Sequence, residues 1–273
     1  MQQSLINIWV LALSTMIEGM RHKALWAIVV FAIIISMTNI FVTNLFSYDL
    51  GKVSIEFGLS SVALTGLLLV FFLGMKILAD DLEHNRIYML ISRPVSVGQY
   101  ITGKFFGLGL ILLIGTTIIG LGSTLSMKYV LFRYAPFVPP DFSWTTYVMA
   151  LSCQWMSLLV VLAVSFLCFC FAKQPFVALL LAVSSYLVGQ NLELLRRVIN
   201  ENPYTGALAG QEKLVFALSW IFPNLSYFDK KSVAAYGLLF SGQEFLFLCL
   251  YCISYCALML YLATLLFNRK ELA

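Results

Sequence analysis

Charge is scarce in this sequence. Only 11% of its 273 residues are Asp, Glu, Lys or Arg, 61% are hydrophobic, and histidine occurs twice, at His22 and His84. Soluble domains carry about 25% charged residues. With a mean hydropathy of +0.91, the chain has no room for a separate soluble enzyme. Two histidines leave little material for a haem, a multi-histidine metal centre or a histidine-based triad. The net charge is only +4, and the basic residues are scattered instead of clustering with aromatics, which argues against nucleic acid as a partner. No basic n-region precedes the first apolar run, so no cleavable signal peptide is expected. Repeats and low-complexity tracts are absent, and no chain of carboxylates inside the apolar runs suggests a proton relay. The six cysteines, Cys153, Cys168, Cys170, Cys249, Cys252 and Cys256, all fall in apolar runs. Cys249-x-x-Cys252 has no nearby histidine to complete a metal site and reads as packing.

What the chain has in quantity is long apolar runs. Those at 24–43, 58–78, 105–126, 147–172 and 245–267 are long enough, or nearly so, to cross about 30 Å of hydrocarbon. A sixth, 176–195, is weakened at its end by Glu193. Six crossings put both termini on one side. Arg21, Lys23, Arg86, Arg93, Lys104, Lys173, Arg269 and Lys270 mark that side as cytoplasmic, although Lys52, Lys128 and Arg133 oppose the bias. The aromatics from Tyr129 to Tyr147 form an interfacial belt on the other side. The expected architecture is a single all-α integral membrane domain, 1–273, with six transmembrane helices.

Three segments interrupt the plain pattern. Residues 2–22 carry polar Asn7, Ser14, Glu18 and Arg21 opposite Trp9, Leu13, Met16, Ile17 and Met20, as expected of an amphipathic elbow helix in the cytoplasmic interface. Residues 191–243 read as extracytoplasmic or re-entrant, because Leu214 to Phe228 is apolar but short and broken at Pro223-Asn224. Asn224-Leu-Ser226 matches a glycosylation sequon, of little meaning at membrane depth. The third and most informative segment is 79–104. Asp80, Asp81, Glu83 and Arg86 would each cost about 2.5–3.5 kcal/mol in hydrocarbon, so the segment lies outside the bilayer. Ile87, Leu90 and Ile91 fall at helical spacing and Pro94 ends that helix. Ser96 and Gln99 then form a capping box that opens a second helix.

Several motifs here are weaker than they look. Gly98 to Lys104 fits most of a phosphate-binding G-x-x-x-x-G-K-[ST] pattern, but Phe105 replaces the hydroxyl residue and no strand precedes it. Lys104 reads instead as an anchor at a span end. Asp80, Asp81 and Glu83 read as a solvated helix face, not as metal ligands. Gly109 and Gly120 return to one helix face and Gly115 and Gly122 to another, with Gly103 and Gly107 forming a G-x-x-x-G pair. Intramolecular packing is the favoured reading of these glycines. Ser60, Ser61, Thr116, Thr117, Ser152, Gln154, Ser184 and Ser185 form a mildly polar set that lines a path or bonds backbone carbonyls.

The pattern resembles membrane permease subunits of the ABC-2 type, from ATP-binding-cassette exporters. Three regions carry the likeness: Ile17-Glu18 through Arg21 to Trp26; Asp81-x-Glu83-x-x-Arg86-Ile87-Tyr88-Met-Leu90-Ile91-Ser92-Arg93-Pro94, ending at Gly103-Lys104; and Phe222-Pro223-Asn224 through Asp229, with Tyr261 to Leu272. Ile87 and Val97 depart from residues frequent in that family. The resemblance implies a subunit of a bacterial-type inner membrane, both termini cytoplasmic, without catalysis or a cofactor of its own. It implies two copies of an ATPase subunit that bind ATP and Mg, a second permease copy or a paralogous permease, and surrounding membrane lipids. Ile87, Tyr88, Leu90 and Ile91 would enter an ATPase groove as a coupling helix, beside Asp81, Glu83, Arg86, Arg93 and Pro94. Glu18 and Arg21 would belong to the elbow. A membrane scaffold or sensor, and an intramembrane lipid-modifying enzyme, are the competing readings.

Overall fold

A computed structural model describes residues 2–45, 50–83, 96–133, 142–172, 174–201, 216, 219 and 221–271. Among these residues there is no strand. The main elements are α1 (Gln2–Arg21), α2 (Lys23–Leu45), α3 (Leu50–Leu68), a π-helical turn (Leu69–Gly74), α4 (Met75–Glu83), α5 (Val97–Arg133), α6 (Trp144–Phe171), α7 (Pro175–Glu201), a 3-10 turn (Leu225–Phe228), α8 (Lys231–Ala235) and α9 (Gly242–Glu271).

Among the described residues five helical stretches are long and apolar enough to cross a membrane: Leu50–Asp80, Val97–Val130, Trp144–Phe171, Pro175–Val198 and Gly242–Asn268. Ser4–Arg21 and Leu25–Asn39, bent by 65° at their junction, make a sixth if counted together. The stretch expected at 58–78 begins earlier, at Leu50, and continues without interruption through the π-helical turn. Large apolar side chains face outward along these helices, including Trp26, Phe72, Phe106, Phe171, Phe176 and Phe247. In water such a surface would drive association. In hydrocarbon it is the ordinary solvent-facing surface, and the chain has the character of a multi-pass membrane protein.

α3 with α4, α5 and α6 make the centre, running antiparallel in turn. Their cores coincide at two levels. Leu69 to Leu78, Tyr100 to Leu112 and Leu158 to Cys170 share the larger core with Cys252, Cys256 and Met259 of α9. Ile55, Leu59, Met127, Tyr147 and Ala150 share a smaller one at the opposite end, closed by Ala234 and Ala235 of α8. Between the two, Ala32 of α2 packs on Val62 and Ile119. The larger core therefore gathers one end of each long helix, and Asp80, Ser96 and Ala172 emerge there.

The glycines set how closely these helices approach. A Cβ on Gly66 would lie 2.2 Å from Leu158 Cδ1, and one on Gly115 would lie 2.6 Å from Leu69 Cδ1. Both leucines are almost fully buried, so each glycine is the notch that receives a leucine of the neighbouring helix. A π turn shifts the register of the residues after it. Here Leu69, the residue seated at Gly115, begins that turn.

Candidate functional site

The charged segment 79–104 enters the described structure at both ends. α4 carries Asp81 and Glu83 in its last turn, and α5 begins at Val97. Arg86, Ile87, Tyr88, Leu90, Ile91, Arg93 and Pro94, like the side chains of Asp81 and Glu83, lie outside the described residues. The start of α5 is specified by the capping box read from the sequence. The Gln99 N–H donates to Ser96 Oγ at 3.3 Å, and the Ser96 N–H donates to Gln99 Oε1 at 3.2 Å. Two of the N–H groups that a helix start leaves without intrahelical acceptors are thereby satisfied. Gly98 to Lys104 is helical throughout, which is not the geometry of a phosphate-binding loop.

Along this first stretch of α5 lies α1. The two helices run in the same direction and form the most extensive helix pair among the described residues. Gln99 bonds Ser4 through its amide nitrogen. A Cβ on Gly103 would meet Leu11 Cβ at 2.7 Å and the Ile8 carbonyl at 3.1 Å; one on Gly107 would meet the Ala12 carbonyl at 2.6 Å. Gly19 of α1 answers from the other side, where a Cβ would fall 2.3 Å from Ile111 Cδ1. Small residues thus let two backbones come close enough for dispersion and Cα–H contacts to replace side-chain packing. α1 turns Ala12, Thr15 and Gly19 toward α5 and leaves Leu5, Ile6, Trp9, Val10, Ile17 and Met20 exposed. Of the polar stripe expected along it, Ser14 and Arg21 are exposed, whereas Glu18 is turned toward α5.

Glu18 meets Lys104. Lys104 Nζ donates to Glu18 Oε2 at 3.2 Å, with side-chain exposures of 7% for the lysine and 34% for the glutamate. Lys104, expected as a charge that anchors a span end, is buried and meets a carboxylate 86 residues away in sequence. A buried ammonium without such a partner would be strongly unfavourable. One signal could have revealed the pair. Glu18 and Lys104 each have apolar or glycine neighbours, and isolated opposite charges in apolar helices tend to find one another.

The other predicted glycine contacts divide between neighbours. Gly109 faces Leu159 and Gly120 faces Leu151, both on α6. Gly115 faces Leu69, whereas Gly122 lines a shallow groove with Val29 and Ile33 of α2. Gly115 and Gly122 therefore do not share a partner, because α2 lies against α5 at the level of Gly122.

Beside Gly189 of α7 and Tyr251 of α9 the chain breaks and is held by side chains, with Leu225 and Phe228 packed into the larger core. The Asn224 N–H donates to the Tyr251 hydroxyl at 3.1 Å, Asn224 Nδ2 to Glu193 Oε2 at 3.4 Å, and the Tyr255 hydroxyl to the Ile221 carbonyl at 3.2 Å. Ser226 Oγ bonds Asn224 Oδ1 at 2.6 Å. Gly189 makes room for this turn, since a Cβ there would lie 2.5 Å from the Pro223 carbonyl. Irregular backbone at such depth requires protein partners of this kind. Asn224 is buried, so the sequon is closed to a glycan.

The six cysteines are free thiols, and Cys249 and Cys252 pack against Met156. Among the described residues no three His, Cys, Asp or Glu side chains come close enough to hold a metal ion. No family model matches the sequence, and no curated protein matches it.

Proposed function

We propose that the chain is the membrane-spanning permease subunit of an ATP-binding-cassette exporter of the ABC-2 type. In this reading it crosses a bacterial-type inner membrane six times with both termini in the cytoplasm. It pairs with a second permease copy or a paralogue and carries two separate ATPase subunits that hold ATP and Mg. It performs no catalysis itself. The observation that supports this most is the joint between α1 and α5. The charged segment 84–95 leads directly into a helix clamped to α1 by Gly103, Gly107 and the Lys104–Glu18 pair. A push on that segment would move α5 and α1 together, and α5 continues to the far core at Met127. Alternating access needs such a lever between the cytoplasmic face and the packing of the bundle.

Co-expression with candidate ATPase subunits tests the assignment. A stable complex is expected, and Leu90→Asp combined with Ile91→Asp should abolish it while leaving the permease folded. Assembly that survives both changes would remove the docking role from this segment. ATP-dependent movement of substrate in reconstituted vesicles then separates a permease from a scaffold that recruits the same partner without transport.

A further inference from the structure

A cleft of about 690 Å³ runs between α5 and α9, flanked by α1 and floored by Leu159 of α6. Its wall on α9 extends from Thr264 to Cys252, which at 1.5 Å per residue is about 18 Å. The lining is graded along that length. Ser4, Ser96, Gln99 and Thr102 gather at the end where α5 starts, level with Thr264, whose Cγ2 lies 3.8 Å from where a Gly98 Cβ would be. From Phe105 inward the walls are apolar, with Phe106, Ile253 and Leu260 leading to Leu159. The mouth opens sideways between Phe106, Ile253 and Tyr261, all three exposed.

We propose that this cleft is a lipid site that holds one acyl chain of a membrane phospholipid, with the head at the Ser96–Gln99 rim and the chain end beside Leu159 and Ile253. The occupant follows from shape and polarity. The slot lies along the helix axes, is polar at one end only, and opens toward the same outward surface that carries the exposed apolar side chains. Water is excluded by the apolar walls. An extended protein segment inserted there would bring backbone polar groups that the inner walls cannot satisfy. A hydrocarbon chain has none. The volume falls within the range of specific small-molecule pockets, about 300–1,000 Å³. This inference rests on the membrane placement of the chain and not on the export reading, so it can fail or stand whether or not an ATPase binds.

The test uses the full chain in vesicles of phosphatidylethanolamine and phosphatidylglycerol, doped with a phosphatidylglycerol bearing a diazirine at the end of one chain. Adducts are mapped by mass spectrometry after illumination. Labelling is expected to concentrate on Leu159 and Cys256 inside the cleft, about tenfold above Leu258 on the outer face of α9, as a retained chain requires. Ala257→Trp, which fills the cleft, should abolish that excess and leave the outer-face labelling unchanged. Leu260→Trp provides the same test should the first variant fail to fold, with size-exclusion chromatography as the check. Equal labelling of cleft and outer face, unaffected by either tryptophan, would show ordinary bilayer contact and overturn the proposal. Peptide-to-peptide crosslinks that place a second copy in the cleft would overturn it as well.

Discussion

The seam between α1 and α5 and the outer face of α9 are built on opposite rules. In the seam, small residues and one ion pair fix the fit: Gly103, Gly107, Ala12, Thr15 and Gly19 set the distance, and Lys104 with Glu18 sets the register. On α9, Leu246, Phe247, Leu250 and Leu258 are large and exposed. They require only that the medium be apolar. The same hydropathy therefore conceals two kinds of position, one specified by a neighbour's atoms and one by the solvent alone. A substitution should reveal which kind it has struck.

The largest expected effect is at Gly107. Leucine there must displace the Ala12 backbone carbonyl, which cannot rotate away as a side chain can, so Gly107→Leu should cost about 3 kcal/mol or more. It should also release α1, read as new proteolytic cleavage near Ser14 together with a lower unfolding temperature in detergent. Glu18→Gln comes next. It removes the carboxylate facing buried Lys104, and since Glu18 is one-third exposed, the 3–5 kcal/mol of a fully buried pair should fall to about 2 kcal/mol. Tyr251→Phe takes the acceptor from the Asn224 N–H and should cost about 1 kcal/mol, seen as faster amide exchange at Asn224. Leu258→Ala on the outer face should change stability by no more than about 0.5 kcal/mol. A loss at Leu258 as large as that at Gly107 would erase the distinction between the two regions.

These differences also explain what could be read from the sequence. Long apolar runs declare themselves through hydropathy, so the stretches at 58–78, 105–126, 147–172 and 245–267 were legible, whereas the run weakened by Glu193 proves long and apolar enough and 24–43 qualifies only together with α1. The α5 start was legible too, because a capping box is a local code within four residues. The Lys104–Glu18 pair was not, since 86 residues separate partners that only tertiary packing brings together. α1 was legible as a helix, but its packing was not. Its amphipathic pattern suggests a helix lying at an interface, whereas the contacts that fix it are made by glycines of another helix. The break at Pro223-Asn224 was visible as a local signal, while the tyrosine hydroxyls of α9 that hold it lie 27 and 34 residues away. Gly115 and Gly122 show the limit of periodicity. A spacing of seven returns to nearly the same face of a helix, but it does not say which neighbour lies against that face at each level.

The most direct test of the α1–α5 joint is a double-mutant cycle. Unfolding free energies are compared for the parent, Glu18→Gln, Lys104→Met and the double variant. If the pair locks the two helices, the double variant is no less stable than Glu18→Gln alone, with a coupling energy of about 1–2 kcal/mol. Additivity within about 0.5 kcal/mol would mean that the two charges stabilise the chain independently, and the lever proposed here would lose its fastening.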